Sequence, residues 1–158
     1  MSEAPQKCVL IVTSGDFDKA FAALTIAATA AAMGMETIMF FTFWGLKIIQ
    51  KGNRTGKGFL GRMVGVMNRG GIDRIGPSKF NFGGIGRGMF KKMMRDKDVT
   101  SLPELLQQCI DLDVKFMACP TSMDVMEITI EDLIPGVEIA GAATMLLEAQ
   151  ESQIQLLI

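Results

Sequence analysis

Lys7-Cys-Val-Leu-Ile-Val-Thr13-Ser-Gly-Asp16 is the stretch that decides the fold, because it joins a short apolar run to a turn and a helix start. An apolar run of this length is typical of a strand that is buried on both faces. Ser14 to Asp16 then predict a turn and the N-cap of a helix. Gly15 and Asp16 are candidate supporting or binding residues, since α/β proteins place ligands beyond the carboxyl ends of their strands.

Strands and helices alternate in the opening and closing thirds of the chain. Apolar runs predict the strands, and apolar residues at steps of three and four predict the helices. The predicted strands are residues 7–13, 37–42, 114–118, 137–139 and 154–158, and the predicted helices are residues 17–33, 44–50, 101–110, 121–126 and 141–149. This alternation predicts an α/β fold with a parallel sheet covered by helices on both faces.

Residues 51–97 interrupt the alternation with a segment rich in glycine, basic residues and methionine. We interpret the whole chain, residues 1–158, as a single domain with an insertion at about 51–97, since its length suits one core. A structureless loop of this length is unusual in a compact domain. We therefore expect Phe59–Asn68 and Met89–Arg95 to be helical and to pack against a neighbouring subunit.

Charge is divided unevenly along the chain. Lys47–Lys97 contains thirteen basic and two acidic residues, a net charge of +11, whereas Asp98–Ile158 contains one basic and eleven acidic residues, a net charge of −10. The basic segment is suited to an acidic protein partner or to the acidic third of another subunit. Nucleic acid is not expected as a partner, because the chain has one Trp, no Tyr and no base-reading motif.

Several other classes of function are excluded or disfavoured. The absence of histidine removes Cys-His and Ser-His catalysis and histidine metal sites, and we predict neither a metal nor a cofactor. Gly52–Gly58 and Gly84–Gly88 both depart from the nucleotide-binding glycine motifs. Ala20–Met35 falls short of the ~20 residues of a membrane span. The amino terminus lacks the regions of a secretory signal, so we expect a cytoplasmic protein without a membrane span.

Cys119 is the strongest candidate for chemistry, because it follows a predicted strand directly. Pro120 suits the first position of a helix, which leaves Cys119 at the N-cap with the N–H groups of Thr121 and Ser122 near its sulfur. A helix N-terminus lowers the pKa of a cysteine and so favours the nucleophilic thiolate. The alternative is a buried, inert cysteine.

The neighbours of Cys119 narrow the chemistry. Ser122 stands where a dithiol redox motif would place its second cysteine, which favours a sulfur adduct on one thiol over local dithiol exchange. Asp124 is a candidate for orienting a ligand or for capping the first turns of the helix. Cys8 and Cys109 lie on apolar faces and are better explained as core residues, although Cys109 remains open as a distant resolving partner.

Phe116-Met-Ala-Cys119-Pro-Thr-Ser-Met-Asp124-Val-Met126 resembles the DsrE/DsrF-like family, in the branch where a strand ends in cysteine and a Ser-Met-Asp-like segment follows. Val9–Asp16, Phe40–Gly45 and the glycine-rich, basic middle also look like this branch, so the resemblance covers essentially the whole chain. It implies a flavodoxin-like, three-layer α/β/α fold of about five parallel strands and homo-oligomeric assembly. It also implies sulfur relay through Cys119.

The function implied by this resemblance is that of a sulfurtransferase or sulfur carrier that accepts and passes on sulfane sulfur or a thiosulfonate group. TusA-like, rhodanese-like or other thiol-bearing proteins are the implied donors and acceptors. Pro120, Thr121, Ser122, Asp124, Gly15 and Asp16 are the candidate supporting residues. Three alternatives are a binding or scaffold subunit in which Cys119 is incidental, a thiol redox protein, and a flavodoxin-like flavin or nucleotide module.

Overall fold

A computed structural model describes residues 6–158, and its centre is one sheet of five parallel strands. The strand order is β4-β3-β2-β1-β5, and every neighbouring pair is parallel. The strands are β1 (Lys7–Val12), β2 (Glu36–Phe41), β3 (Lys115–Ala118), β4 (Val137–Ile139) and β5 (Ile154–Leu157). The predicted parallel sheet is confirmed, because its apolar strands are buried between helices.

Helices cover both faces of the sheet and complete the expected three-layer α/β/α arrangement. Helices α1 and α4 pack together over one face, and α6 packs over the opposite face. The α-helices are α1 (Phe17–Ala32), α2 (Phe59–Met67), α3 (Ile85–Asp96), α4 (Leu102–Asp111), α5 (Pro120–Val125) and α6 (Ala142–Gln150). Ser101 and Glu104 form the capping box of α4, as the sequence predicts.

Strand residues alternate between the two apolar clusters of the core. Leu10, Met39 and Phe116 belong to the larger cluster beneath α1 and α4, whereas Val9 and Met117 belong to the smaller cluster beneath α6. Successive side chains of a strand point to opposite faces, so this division follows directly from the period of two. The residue that directly follows a strand continues this alternation, so the strand determines on which side of the sheet its side chain lies.

The segment of residues 51–97 contains two of these helices, α2 and α3, as expected. Many of its large apolar side chains are exposed, among them Phe59, Met67 and Ile85. The helix predicted for residues 44–50, just before this segment, is the 3-10 helix Phe43–Ile49. Among residues 6–158, no helix has the length and apolar character needed to cross a bilayer.

Two glycines allow the loop after β1 to cross the 3-10 helix after β2. A Cβ on Gly15 would overlap the carbonyl oxygen of Trp44, and a Cβ on Gly45 would overlap the carbonyl oxygen of Val12. The Gly45 N–H donates hydrogen bonds to the carbonyl oxygens of Thr13, at 3.2 Å, and Thr42, at 3.0 Å. Both glycines are therefore required by close backbone contact at the carboxyl ends of the strands.

Replacement of Gly45 by alanine is expected to destabilise the protein by about 1–3 kcal/mol, because the added methyl group has no space. Gly88→Ala is the matched control, since Gly88 lies in α3 with open space around its Cβ position. This control is expected to stabilise the protein by up to about 1 kcal/mol through helix propensity. Urea denaturation of both variants measures the difference, and equal stability of Gly45→Ala and wild type would contradict the close contact.

Candidate functional site at the carboxyl ends of strands β2 and β3

The candidate site lies where β2 and β3 end side by side. Their parallel register pairs Phe41 with Ala118, so Thr42 and Cys119 are the residues that directly follow the two paired strands. The Cys119 N–H donates a hydrogen bond to the Phe41 carbonyl oxygen at 3.0 Å and extends the pairing by one step. Cys119 therefore occupies a backbone position that is fixed by the sheet.

Cys119 is also the N-cap residue of α5, and Pro120 is the first residue of that helix. The Cys119 carbonyl oxygen accepts the Met123 N–H at 3.0 Å, the first hydrogen bond within the helix. The sulfur forms no close N-cap hydrogen bond, so the nearby N–H groups stabilise it at longer range. The side chain is half-buried against the apolar cluster beneath α6.

Two hydroxyl groups support the sulfur from the interior. Thr42 Oγ1 and Ser122 Oγ are 2.7 Å apart, so one hydroxyl donates to the other and the pair has one proton left to donate to the sulfur. Ser122 is only 1% exposed. Burial opposes ionisation of Cys119, but the N–H and hydroxyl of Ser122, the hydroxyl of Thr42 and the N–H of Thr121 outweigh it. These donors hold the pKa of the Cys119 thiol below its ordinary value.

The other two cysteines lie in environments that suppress reactivity. Cys8 and Cys109 are fully buried, and burial raises the pKa of both thiols, to about 12 for Cys109. Cys109 Sγ lies 3.5 Å from the Leu24 carbonyl oxygen in the cluster beneath α1 and α4. Cys119 packs on the opposite face, so the sheet separates these two thiols. This placement argues against Cys109 as a resolving partner.

The remaining candidates are distributed over two places. Thr121 and Ser122 stand with Cys119 in α5, and the exposed side chain of Thr121 contributes through its backbone N–H. Gly15 and Asp16 follow β1, which β2 separates from β3. They therefore lie at the same edge of the sheet as Cys119 but two strands away.

The capping role considered for Asp124 is wrong. This residue is the fifth of the six residues of α5, so it lies beyond the first turn of the helix. Its side chain is exposed, and the first turn of α5 contains no acidic residue. A ligand-orienting role for Asp124 remains a prediction.

Sequence reasoning missed Thr42, which completes the polar support of the sulfur. A single threonine after an apolar strand gives no functional signal, because its partner Ser122 is 80 positions away. Thr42 ends one predicted strand and Ser122 lies four residues after another, so only the pairing of these two strands as neighbours would have linked them. Within residues 6–158, no group of three cysteine or carboxylate side chains is arranged to hold a metal ion.

Comparison with known families and proteins gives three consistent similarities. A sequence model of the DsrE/DsrF/DrsH-like family matches residues 4–157. The chain is 38% identical to the uncharacterized protein YrkE of Bacillus subtilis, over all of both chains. It is 35% identical to the sulfur carrier protein DsrE2 of Allochromatium vinosum, over 97% of this chain and 98% of that protein.

A solved structure shares the fold. The crystal structure of the ychN protein from E. coli superposes with a TM-score of 0.61 at 15% identity, covering 97% of this chain and 99% of that one. At this identity the similarity concerns the architecture of the sheet and its helices.

Ser122→Ala and Thr42→Val are each expected to raise the pKa of Cys119, because each removes a hydroxyl that favours the thiolate. Alkylation by iodoacetamide near neutral pH should become about threefold to tenfold slower, the effect of losing one modest hydrogen bond. The pH dependence of the alkylation rate measures the shift. Thr121→Ala is the control, since it retains the backbone N–H and should leave the profile unchanged. An unchanged profile in Ser122→Ala would contradict the supporting role.

Proposed function

We propose, from the premise that this chain belongs to the DsrE/DsrF/DrsH-like family, that it relays sulfur on the thiolate of Cys119. The observation that carries the proposal is the contrast among the three cysteines. Cys119 is half-buried with a lowered pKa, whereas Cys8 and Cys109 are fully buried with raised values. A relative named as a sulfur carrier protein, 35% identical over nearly the whole chain, supports the same chemistry.

The proposed transfer is a thiolate exchange that needs no external oxidant or reductant. The Cys119 thiolate attacks the terminal sulfur of a donor persulfide and forms a new S–S bond. The S–S bond of the donor breaks, and its electron pair leaves with the donor thiolate. Attack by an acceptor thiolate on the outer sulfur then regenerates the Cys119 thiolate. A thiosulfonate group would be carried by attack on its sulfane sulfur, which is bonded to the donor sulfur: the donor thiolate leaves with the electron pair of the broken S–S bond, and the sulfonate stays attached to the transferred sulfur.

The same hydroxyl and N–H groups act in both half-reactions. They stabilise the free thiolate before attack and again when it leaves, because the anion occupies one position in both steps. A lowered pKa also makes Cys119 a better leaving group towards an acceptor. A TusA-like, rhodanese-like or other thiol-bearing protein is the proposed donor or acceptor, and a carrier and a sulfurtransferase would use this same cysteine.

Incubation with a glutathione persulfide donor is expected to add the mass of one sulfur atom to the wild-type chain. Cys119→Ser should acquire no adduct, because it lacks the nucleophile, whereas Cys109→Ala should acquire it as readily as wild type. Intact-mass spectrometry before and after reduction reports both results. An adduct that persists in Cys119→Ser would place the chemistry on another residue, and the absence of any adduct in wild type would reject sulfur transfer from persulfides.

We also propose that copies of the chain assemble through α2 and α3. Phe59 is 85% exposed and Met67 is 80% exposed, which is unfavourable for isolated helices in water. The net charge of +11 in residues 47–97 complements the −10 of residues 98–158, so a second copy supplies a matching surface.

The double variant Phe59→Ser and Met67→Ser is expected to shift the protein to a smaller assembly, because it removes apolar area from this contact. Size-exclusion chromatography with light scattering measures the mass. Leu146→Ser with Leu147→Ser is the matched control, since these leucines are exposed on α6 at the opposite face of the sheet. A smaller assembly in the leucine control, with no change in the Phe59→Ser, Met67→Ser variant, would indicate an interface on α6 and contradict the proposal.

A further inference from the structure

A polar cavity of about 460 Å³ lies at the carboxyl end of β1, away from Cys119. Its walls come from the loop after β1, from the 3-10 helix after β2 and from residues 66–87. Four cationic side chains line it, and we call it the cationic cavity: Lys47, Arg69, Arg74 and Arg87. Asp16 is the single acidic residue among the lining residues that the structure describes.

Backbone hydrogen bonds hold the walls of the cationic cavity together. The Gly71 N–H donates to the Lys47 carbonyl oxygen at 2.9 Å, which ties residues 68–76 to the 3-10 helix. The Phe17 N–H, at the start of α1, donates to the Gly76 carbonyl oxygen at 2.8 Å. These bonds join residues 68–76 to elements that begin at the edge of the sheet, so the backbone of the protein holds the walls of the cavity together.

Two of the three arginine side chains are anchored by carbonyl oxygens and not by carboxylates. Arg69 Nε donates to the Gly52 carbonyl oxygen at 2.6 Å, and Arg87 Nη1 donates to the Arg74 carbonyl oxygen at 2.7 Å. A guanidinium group has five N–H donors, so each anchored arginine retains donors for a second partner. Neutral anchors fix the position of these groups and leave their positive charge uncompensated.

Three of the four cations are half-buried: Lys47, Arg69 and Arg87. Among residues 6–158, the ion pairs within 4.0 Å involve Lys7, Lys91 and Lys115, and none involves these three. Half-buried cations without an anionic partner destabilise the folded protein, because no attraction to an anion offsets the free-energy cost of their desolvation. Burial lowers the pKa of Lys47, and the charge of Asp16 compensates this only in part.

We propose that the cationic cavity binds a small polyanion that presents at least two phosphate-like oxyanion groups. The charge sets this class: four cations against Asp16 leave a net charge of +3 on the lining, from +4 and −1. The volume exceeds what one tetrahedral oxyanion needs, and it lies within the range of small-molecule sites, about 300–1,000 Å³. Guanidinium groups bind the oxygens of phosphate-like groups in pairs, which suits a ligand with several such groups.

The site goes beyond the proposed sulfur transfer and does not depend on it. Cys119 follows β3, whereas the cavity is built around the end of β1, and β2 lies between them. Failure of one proposal therefore leaves the other intact. Cys119→Ser is expected to bind the polyanion with the affinity of the wild type.

Isothermal titration calorimetry with pyrophosphate, at constant ionic strength set by sodium chloride, tests the proposal. We expect saturable binding to the full-length protein at one site per chain, with orthophosphate and sulfate at least about tenfold weaker. Arg69→Gln and Arg87→Gln should each weaken pyrophosphate binding by about tenfold or more, the effect of losing one charged contact. Thermal unfolding shows whether each variant is folded. If either arginine variant is not, the pyrophosphate affinity of Lys47→Gln is measured in its place.

Arg62→Gln is the matched control, because Arg62 is an exposed cation of α2 in the same segment but outside the cavity lining. It should bind pyrophosphate as the wild type does. An equal loss of affinity in Arg62→Gln would mean that the loss of any positive charge weakens pyrophosphate binding, whatever its position, and would overturn the proposal. The absence of saturable binding would also overturn the proposal. So would arginine variants that dissociate an oligomer while no pyrophosphate binding is seen, because that result would assign these cations to a protein partner.

Discussion

The pairing of β2 with β3 is the interaction on which the candidate site depends. Their register sets Phe41 opposite Ala118, and the Cys119 N–H continues the ladder to the Phe41 carbonyl oxygen. The same register brings Thr42 next to α5, where its hydroxyl meets that of Ser122. A shift of one residue would turn Cys119 towards the other face of the sheet, away from α6. The Cys119 thiol is thus positioned by backbone geometry before any side chain is considered.

Much of this architecture could be predicted from the sequence, because its signals are local. The apolar run of residues 7–12 and the Ser101–Glu104 capping box identify their elements by themselves. Pro120 after a strand predicts both the start of α5 and the N-cap position of Cys119. The exclusion of Cys8 and Cys109 also followed from their apolar neighbours, and the structure shows both fully buried.

The parts that could not be predicted depend on contacts between distant residues. The support from Thr42 needs the register of two strands that are separated in sequence by residues 42–114. The cationic cavity needs the path of residues 68–76, which is set by Gly71 bonding to Lys47 and Gly76 bonding to Phe17. Periodicity carries no such information, because Gly71 closely approaches the backbone of Gly52 and Gly76 approaches the side chain of Asn81, and neither glycine buries a side chain. The spread of basic residues therefore looked like a general surface from the sequence alone.

The separation of the two sites has a chemical consequence for the thiolate. Cys119 is stabilised by neutral hydroxyl and N–H donors, while the half-buried cations gather at the end of β1. A cation in direct contact would lower the pKa of the thiol further, but nucleophilicity falls as the pKa falls. Neutral donors lower the pKa of the thiol without an ion pair, which favours the thiolate and suits the sulfur transfer that we propose. The relay that we propose requires Cys119 both to attack and to leave, and neutral donors suit both steps because no permanent ion pair traps the anion.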